Sequence, residues 1–333
     1  MKTALLVGGA GFIGHNLAIK LKKEKKFKKV IILDFLKVNN IKSGTIKSNL
    51  YKKILKERLS LLKKNKIKLH LVDSRNYKTI CKYFKKYNPS HLYHLAAIAH
   101  ANISNKDPFS TFDHSLRTLE NSLDASRALK NLNRFIYISS SMVYGNFTKP
   151  IVNEKDICNP LGIYGSLKYA GEKMVQSYNQ VFGLKYNIIR PSALYGERCV
   201  SRRVVQVFVE NAIMKKPLNI SGDGLDKLDF THIEDLTECL AKLANNKKIH
   251  ENKIFNITFG NSRSINDVVK ILRKEIGKVE VNYKKRDKLM PFRGTLSNKE
   301  AKKYLNFKPK CNLEVGIKNL VKWYKKNHLD QLR

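Results

Sequence analysis

Seven residues near the N-terminus, Gly8-Gly9-Ala10-Gly11-Phe12-Ile13-Gly14, constrain this chain more than any other stretch. They follow the apolar run TALLVG (3–8) and lead straight into a helical pattern, so strand, turn and helix succeed one another without a spacer. Glycines at 8 and 11 let such a turn approach a pyrophosphate, the helix start offers free N–H groups, and Gly14 permits close helix–strand packing. A second apolar run, KVIILD (29–34), ends in Asp34, placed to accept from ribose hydroxyls. A carboxylate there repels a 2′-phosphate, and Phe35 and Leu36 bring no arginine to attract one, so the spacing favours NAD, with Lys37 the nearby cation that speaks against it. Asp73, closing the third run IKLHLVD (67–73) beside Ser74, reads either as an acceptor for the adenine amino group or as a helix cap.

The alternation continues. Six runs, at 3–8, 29–34, 67–73, 91–97, 134–139 and 185–190, are separated by helical segments at 12–24, 51–64, 76–87, 109–130 and 164–182. That order predicts an α/β fold, a doubly wound parallel sheet of the Rossmann type. After Arg190 the pattern fades, which divides the chain into a dinucleotide-binding domain over 1–190, rejoined by about 229–250, and a smaller substrate-binding lobe over 191–333. The ligand belongs between them, at the carboxyl ends of the strands.

Composition excludes several classes. A hydrophobic fraction of 42% is too high for a disordered chain, and no apolar stretch is long enough to span a bilayer, so no membrane partner is expected. The formal charge of +38 invites a nucleic-acid reading, but the lysines are spread over nearly every helix as solvated faces, and no specific nucleic acid is expected. Such a field does favour polyanionic substrates. Five scattered cysteines without a C-x-x-C pair point to reduced thiols and a cytoplasmic location. His91 and His94, three apart on a strand, face opposite ways, and no metal is expected.

Tyr164-Gly-Ser-Leu-Lys168 places a phenol and an ammonium four apart at a helix start, on one face. Lys168 can then lower the tyrosine pKa and hold a nicotinamide ribose, while Tyr164 exchanges a proton with a substrate hydroxyl. The run RFIYISSSMVYG (134–145) brings serines to the same end of the sheet.

With these features in order, the chain resembles the extended short-chain dehydrogenase/reductase family, specifically its NAD-dependent nucleotide-sugar epimerases and dehydratases. The matching stretches are GGAGFIG (8–14), HLAA (94–97), SSSMVYG (139–145), YGSLKYAGEK (164–173), RPSALYGE (190–197), SGDGLDKLDFTHIEDL (221–236) and AKKYLNFKPK (301–310), which cover the chain almost end to end. The resemblance implies that Ser140 hydrogen-bonds the sugar oxygen, with Ser139 and Ser141 as neighbouring candidates, that Tyr164 is the acid/base and Lys168 its partner, and that Leu95, Ala96 and Ala97 line the cofactor. It also implies a nucleoside-diphosphate sugar as substrate. The helices through 109–130 and 164–182 are more apolar than one buried face needs, and in the family such pairs form a homodimer through a four-helix bundle.

Departures from the family narrow the reaction. Dehydratases carry Asp-Glu after the catalytic hydroxyl residue, where Ser141 and Met142 stand here, so dehydration by that route is not expected and epimerisation, of the 4-epimerase type, is. The family's asparagine before the next helix is read as Ser115, and that of the R-x-x-N stretch as Ala193. Its arginine before Asp-Phe is Leu228, leaving Lys227, Arg286 and Arg293 as diphosphate candidates, with Arg198, Arg202 and Arg203 behind them. Decarboxylation of a nucleotide-linked uronic acid, reduction of a keto-sugar, and a non-catalytic basic RNA- or partner-binding role remain the competing readings.

Overall fold

The computed structural model of the chain describes residues 2–38, 40–44, 46–245 and 251–332. Positions 246–250 of the expected return to the first domain lie outside the described residues. Among the described residues, seven strands form one parallel sheet: β1 (Thr3–Val7), β2 (Lys29–Asp34), β3 (Lys68–Leu71), β4 (His91–His94), β5 (Arg134–Ile138), β6 (Tyr186–Pro191) and β7 (Lys253–Ile257). Their order across the sheet is 7-6-5-4-1-2-3. Neighbours β1 and β4 are far apart in sequence, and between them the winding direction reverses.

The apolar runs are continuous because both faces of the sheet are covered. On one side Leu6, Ile32, Tyr93, Ile136, Ile189 and Phe255 pack against Leu17 and Leu21 of the helix Phe12–Lys23 and Leu236 and Leu240 of the helix Ile233–Lys242. On the other, Leu5, Ile31, Leu92, Phe135 and Ile188 meet Ile80, Phe84, Leu119, Leu123 and Val175. Gly171 lies where a side chain would strike the Tyr137 hydroxyl, which lets the helix Gly162–Phe182 settle directly on β5.

Three features differ from the sequence reading. β7 is an additional strand, paired in register with β6 from Lys253–Asn187 to Ile257–Pro191, and its isolation among lobe segments hid it. β3 stops at Leu71, which leaves Asp73 in the loop beyond it. The expected helix over 109–130 is broken by one π-helical turn at Asp113–Arg117, which changes the face each residue presents.

The remaining segments build the lobe above the sheet's carboxyl end, with a core that includes Val205, Phe208, Leu218, Val268, Leu272, Ile317 and Trp323. At its base the Glu210 carboxylate accepts from Tyr51 at 2.7 Å, Tyr324 at 2.6 Å and Gln206 at 2.8 Å, joining three separated helices.

Gly8 adopts φ +77°, and a Cβ there would lie 2.5 Å from the Ala96 nitrogen. Gly8→Ala is therefore expected to cost at least about 2 kcal/mol, from left-handed backbone strain plus the contact with Ala96. Urea unfolding of the two proteins checks this, and an unchanged midpoint contradicts it.

Candidate active site

At the switch between β1 and β4 the chain encloses a cavity of about 140 Å³. Gly8, Gly11, Phe12, Ile13, Gly14, Asp34, Asp73, Ser74, Leu95, Ala96 and Ala97 all line it. The Gly8–Gly14 turn is set by contacts a side chain would forbid: at Gly14 a Cβ would lie 2.5 Å from the Gly9 backbone. Gly11 is different, because its nearest protein atom would be 3.5 Å away, and the space on that side is free for a ligand.

Asp34 ends β2 half-buried, accepting from the Ala10 N–H at 2.9 Å and the Leu36 N–H at 2.8 Å. Burial pushes its carboxyl above the ordinary range, and these backbone donors pull it back. Each oxygen keeps a second lone pair, so the group can still accept from a ligand hydroxyl. Asp73 is more committed. Arg75 donates to both of its oxygens, at 3.0 and 2.7 Å, reaches Asp113 at 2.8 Å, and holds the Asp73 carboxyl below its usual range against the opposing effect of burial.

A second cleft of about 400 Å³ continues from the first, sharing Ile13, Leu95, Ala97, Ala99, Leu194 and Arg203 with it. Ser139, Ser140, Ser141, Met142, Tyr164, Lys168, Lys227 and Arg293 line its walls. β5 ends at Ile138, and there the serines leave the sheet; Ser140 caps a short 3₁₀ turn by accepting from Met142 at 3.2 Å. The helix Gly162–Phe182 begins across from it and carries Tyr164 and Lys168 on one face. Burial raises the Tyr164 phenol, while the Arg203 guanidinium and a hydrogen bond with Ser140 lower it. Lys168 donates to the Ile138 carbonyl at 2.7 Å, and burial brings its ammonium down to about 8 against the charge of Glu172. A phenol, a hydroxyl and an ammonium on one wall can move a proton to and from a hydroxyl-bearing ligand.

Several candidates stand elsewhere. Arg198 does not reach either cavity, being paired with Glu57 at 3.2 Å and Glu197 at 2.9 Å. Arg286 pairs with Asp226 at 3.0 Å and lies over the Phe292 ring, beside a depression that shares Asp226, Lys227 and Arg293 with the cleft. Ser139 donates to Glu172 at 2.5 Å. His114, one position before Ser115, is the residue of the π turn that lines the cofactor cavity. Arg203 and Arg293 do face the cleft, each with a buried Nε that lacks a partner. Ala193 holds φ +35°, a backbone that suits asparagine better, and its small side chain widens the wall. His91 and His94 pack on opposite faces of the sheet, against Phe27 and against Phe135.

The sequence reading missed Arg58, His100 and Glu172. Arg58 is buried beside the first cavity and donates through Nε and Nη2 to the Arg198 carbonyl. Its signal was an arginine on the apolar Ile54–Leu62 face of a helix otherwise written in exposed lysine. Glu172 follows Lys168 by one helical turn, so the face of Tyr164 continues into it. His100 lines the cleft with an unpartnered Nδ1, and its isolation in the sequence gave no signal.

The chain is similar to known proteins in sequence and fold over most of its length. The profile of the NAD dependent epimerase/dehydratase family matches residues 4–258. A UDP-glucuronate 4-epimerase of Thermodesulfobacterium geofontis is 29% identical over 97% of this chain and 96% of its own. The crystal structure of UDP-glucuronic acid 4-epimerase from Bacillus cereus, in complex with UDP-glucuronic acid and NAD, superposes with a TM-score of 0.88 at 26% identity, over 97% of this chain and 99% of that one. A UDP-glucose 4-epimerase from Thermotoga maritima, with UDP-glucose, gives 0.84 at 27% identity over 97% and 99%.

The first cavity fits NAD: the open side of Gly11 and the helix start suit a pyrophosphate, and the remaining lone pairs of Asp34 suit a ribose diol. NADP is expected to bind at least about tenfold more weakly than NAD, because its 2′-phosphate would meet the Asp34 carboxylate. Calorimetry with both dinucleotides, repeated on Asp34→Ala, tests this; equal affinities in the unaltered protein would sink it.

Proposed function

Because the chain belongs to the NAD dependent epimerase/dehydratase family, we propose that it is a nucleotide-sugar 4-epimerase, with a UDP-sugar as substrate. One observation carries the reading. Ser140, Tyr164 and Lys168 open on a cleft continuous with the dinucleotide cavity, and the turn after Ser140 bears Ser141 and Met142 in place of a carboxylic acid. A group that withdraws and returns a proton is present on that wall; one that protonates a leaving hydroxide is missing from that turn.

NAD, which Gly8, Gly11, Gly14 and Asp34 would hold, would supply an acceptor for the hydride of the sugar carbon and a donor for its return. Tyr164 takes the proton of the reacting hydroxyl, Lys168 stabilises the phenolate by its charge, and Ser140 holds the same sugar oxygen. Ser141 lies beside it. The keto-sugar turns within the cleft, where Ala193 leaves room, so that its carbonyl carbon receives the hydride on the opposite face while Tyr164 gives the proton back to the sugar oxygen. Arg203 and Arg293 are the residues we assign to the diphosphate, since each brings an unpartnered guanidinium Nε to the cleft; Lys227 at the rim adds charge. In this reading residues 1–190, with the strand and helix returning later, hold NAD, and the lobe of 191–333 holds the nucleotide.

The same reading includes a homodimer. Phe109, Phe112, Val181 and Phe182 are exposed on neighbouring helices, with Phe109 86% accessible, and a second copy would cover them as a four-helix bundle. The mass in solution by light scattering checks it. Five free cysteines suit a reducing cytoplasm, and among the described residues no helix is long and apolar enough to cross a membrane.

Tyr164→Phe is expected to keep the fold and bound NAD while kcat falls by about 10²–10⁴. In the unaltered enzyme kcat/KM should fall on the alkaline side near pH 8, where Lys168 loses its proton and Tyr164 its supporting charge. Near-normal turnover of Tyr164→Phe would move the chemistry elsewhere. The reaction type is read from a substrate deuterated at the oxidised carbon: hydride return leaves an inverted product of unchanged mass. Uptake of solvent deuterium, or a sugar lighter by water or carbon dioxide, would overturn the epimerase reading.

A further inference from the structure

Behind the catalytic wall lies a buried polar network that the proton transfer itself does not use. Glu172 is 1% exposed, Arg190 2% and Ser139 2%. The two Glu172 oxygens take a bidentate pair from Arg190, Nε at 2.9 Å and Nη2 at 2.6 Å, and Oε1 also accepts from Ser139 Oγ at 2.5 Å. Arg190 Nη1 donates to the Tyr144 hydroxyl at 2.9 Å, which in turn donates to Asn256 Oδ1 at 2.8 Å. Asn256 donates its N–H to Glu154 at 2.7 Å and its side-chain amide to the Ser297 carbonyl. One carboxylate thus joins the helix of Tyr164 and Lys168 to both ends of the Ser139–Tyr144 segment and, through β6 and β7, to the lobe.

We propose that Glu172 is the positioning residue of this active site, fixing the serine turn through Ser139 and acting as counter-charge to Lys168. This rests on the proton-transfer roles of Ser140, Tyr164 and Lys168 proposed above. Lys168 and Glu172 are four apart on one helical face, both buried, so the carboxylate sits one turn from the ammonium. The other groups packed around the pair carry no negative charge at neutral pH. His94 of β4 is pushed down to about 3 by burial and by Lys168 itself, so it is uncharged. Tyr137 of β5, whose ring lies 5.1 Å from the Lys168 ammonium, is held far above its ordinary value by burial. Tyr186 of β6 and Cys158 are likewise raised by burial and stay neutral. Tyr164 is the reacting phenol, and Arg190 and Arg203 are cations. Burial works against the Lys168 charge and the Glu172 carboxylate works for it.

The arrangement explains why two adjacent serines differ. Ser139 is consumed by Glu172 and cannot turn to the substrate, whereas Ser140, held by its neighbour, presents its hydroxyl to Tyr164. A shift of about 1 Å in that hydroxyl is enough to lower turnover by about a hundredfold.

The test uses holoenzyme labelled with ¹³C at lysine Cε, with the Lys168 resonance assigned by its loss in Lys168→Met. In Glu172→Gln, Lys168 should titrate about one pH unit lower than in the unaltered protein, and the alkaline limb of kcat/KM should move down by the same amount. Glu172→Asp, which keeps the charge, should restore most of that shift. Ser139→Ala leaves the ion pair intact; it should lower kcat about tenfold to a hundredfold with KM and the alkaline limb unchanged. If Glu172→Gln alone does not fold, because Arg190 is left buried without its partner, the double variant Glu172→Gln/Arg190→Met removes both charges, and the Lys168 titration is read there. A merely structural Glu172 would lower the unfolding midpoint while leaving the Lys168 titration and the pH limb in place, and that result overturns the proposal. If the unaltered enzyme turns over no nucleotide sugar, the epimerase reading fails on its own, while the lysine titration still decides the role of Glu172.

Discussion

The proposed active site depends on keeping one ammonium charged inside the protein. Lys168 is 6% exposed, and taking such an ion out of water costs several kcal/mol after relaxation. The fold offsets that cost with the Ile138 carbonyl at 2.7 Å, the Tyr137 ring and the Glu172 carboxylate one turn away. That carbonyl lies at the carboxyl end of β5, just before Ser139 makes the last bond of the strand by donating its N–H to the Ile189 carbonyl at 2.8 Å. The same strand end releases the serines into the cleft. The groups proposed to move the proton and the support of their charge therefore meet at one place, the end of a central strand.

Buried carboxylates recur as fasteners between elements distant in sequence. Glu172 gathers β5, β6 and the helix Gly162–Phe182, while Glu210 gathers Tyr51, Gln206 and Tyr324 at the base of the lobe. Each accepts three hydrogen bonds across its two oxygens, and a buried polar group satisfied in this way rigidifies a structure instead of weakening it. The sheet contributes shape and the apolar faces contribute most of the stability; these polar junctions decide how the lobe sits over the strand ends.

Charge on this chain is plentiful in one sign and scarce in the other, 65 basic against 27 acidic residues. That imbalance makes the carboxylates informative. Arg198 and Arg286 come from promising stretches of sequence, yet each is already engaged by acidic partners. Arg198, Arg203 and Arg293 all bury an unpartnered Nε, which is costly unless a ligand completes it, but only Arg203 and Arg293 bring theirs to the cleft. Sequence proximity to a motif could not separate these four arginines, because the difference lies in which carboxylates the fold brings near them.

Local pattern was enough for the parallel sheet, the glycine turn, Asp34 and the Tyr164–Lys168 pair. These depend on spacings of one strand, one turn or one helical repeat, and such spacings survive any arrangement of the rest. Even Arg58 and Glu172 left a local trace, the one a charged residue on an apolar helix face, the other a carboxylate one turn beyond Lys168. The seventh strand, the π turn that brings His114 to the cavity, the bridge from Arg75 to Asp113 and the commitment of Ser139 to Glu172 left none. Each is settled by contact between segments tens of residues apart, or by helix geometry that responds to such contact. By itself the sequence determined which groups stand at the carboxyl end of the sheet; the tertiary structure decided which of them are free to meet a ligand, because a hydrogen bond already made inside the protein removes a group from that choice.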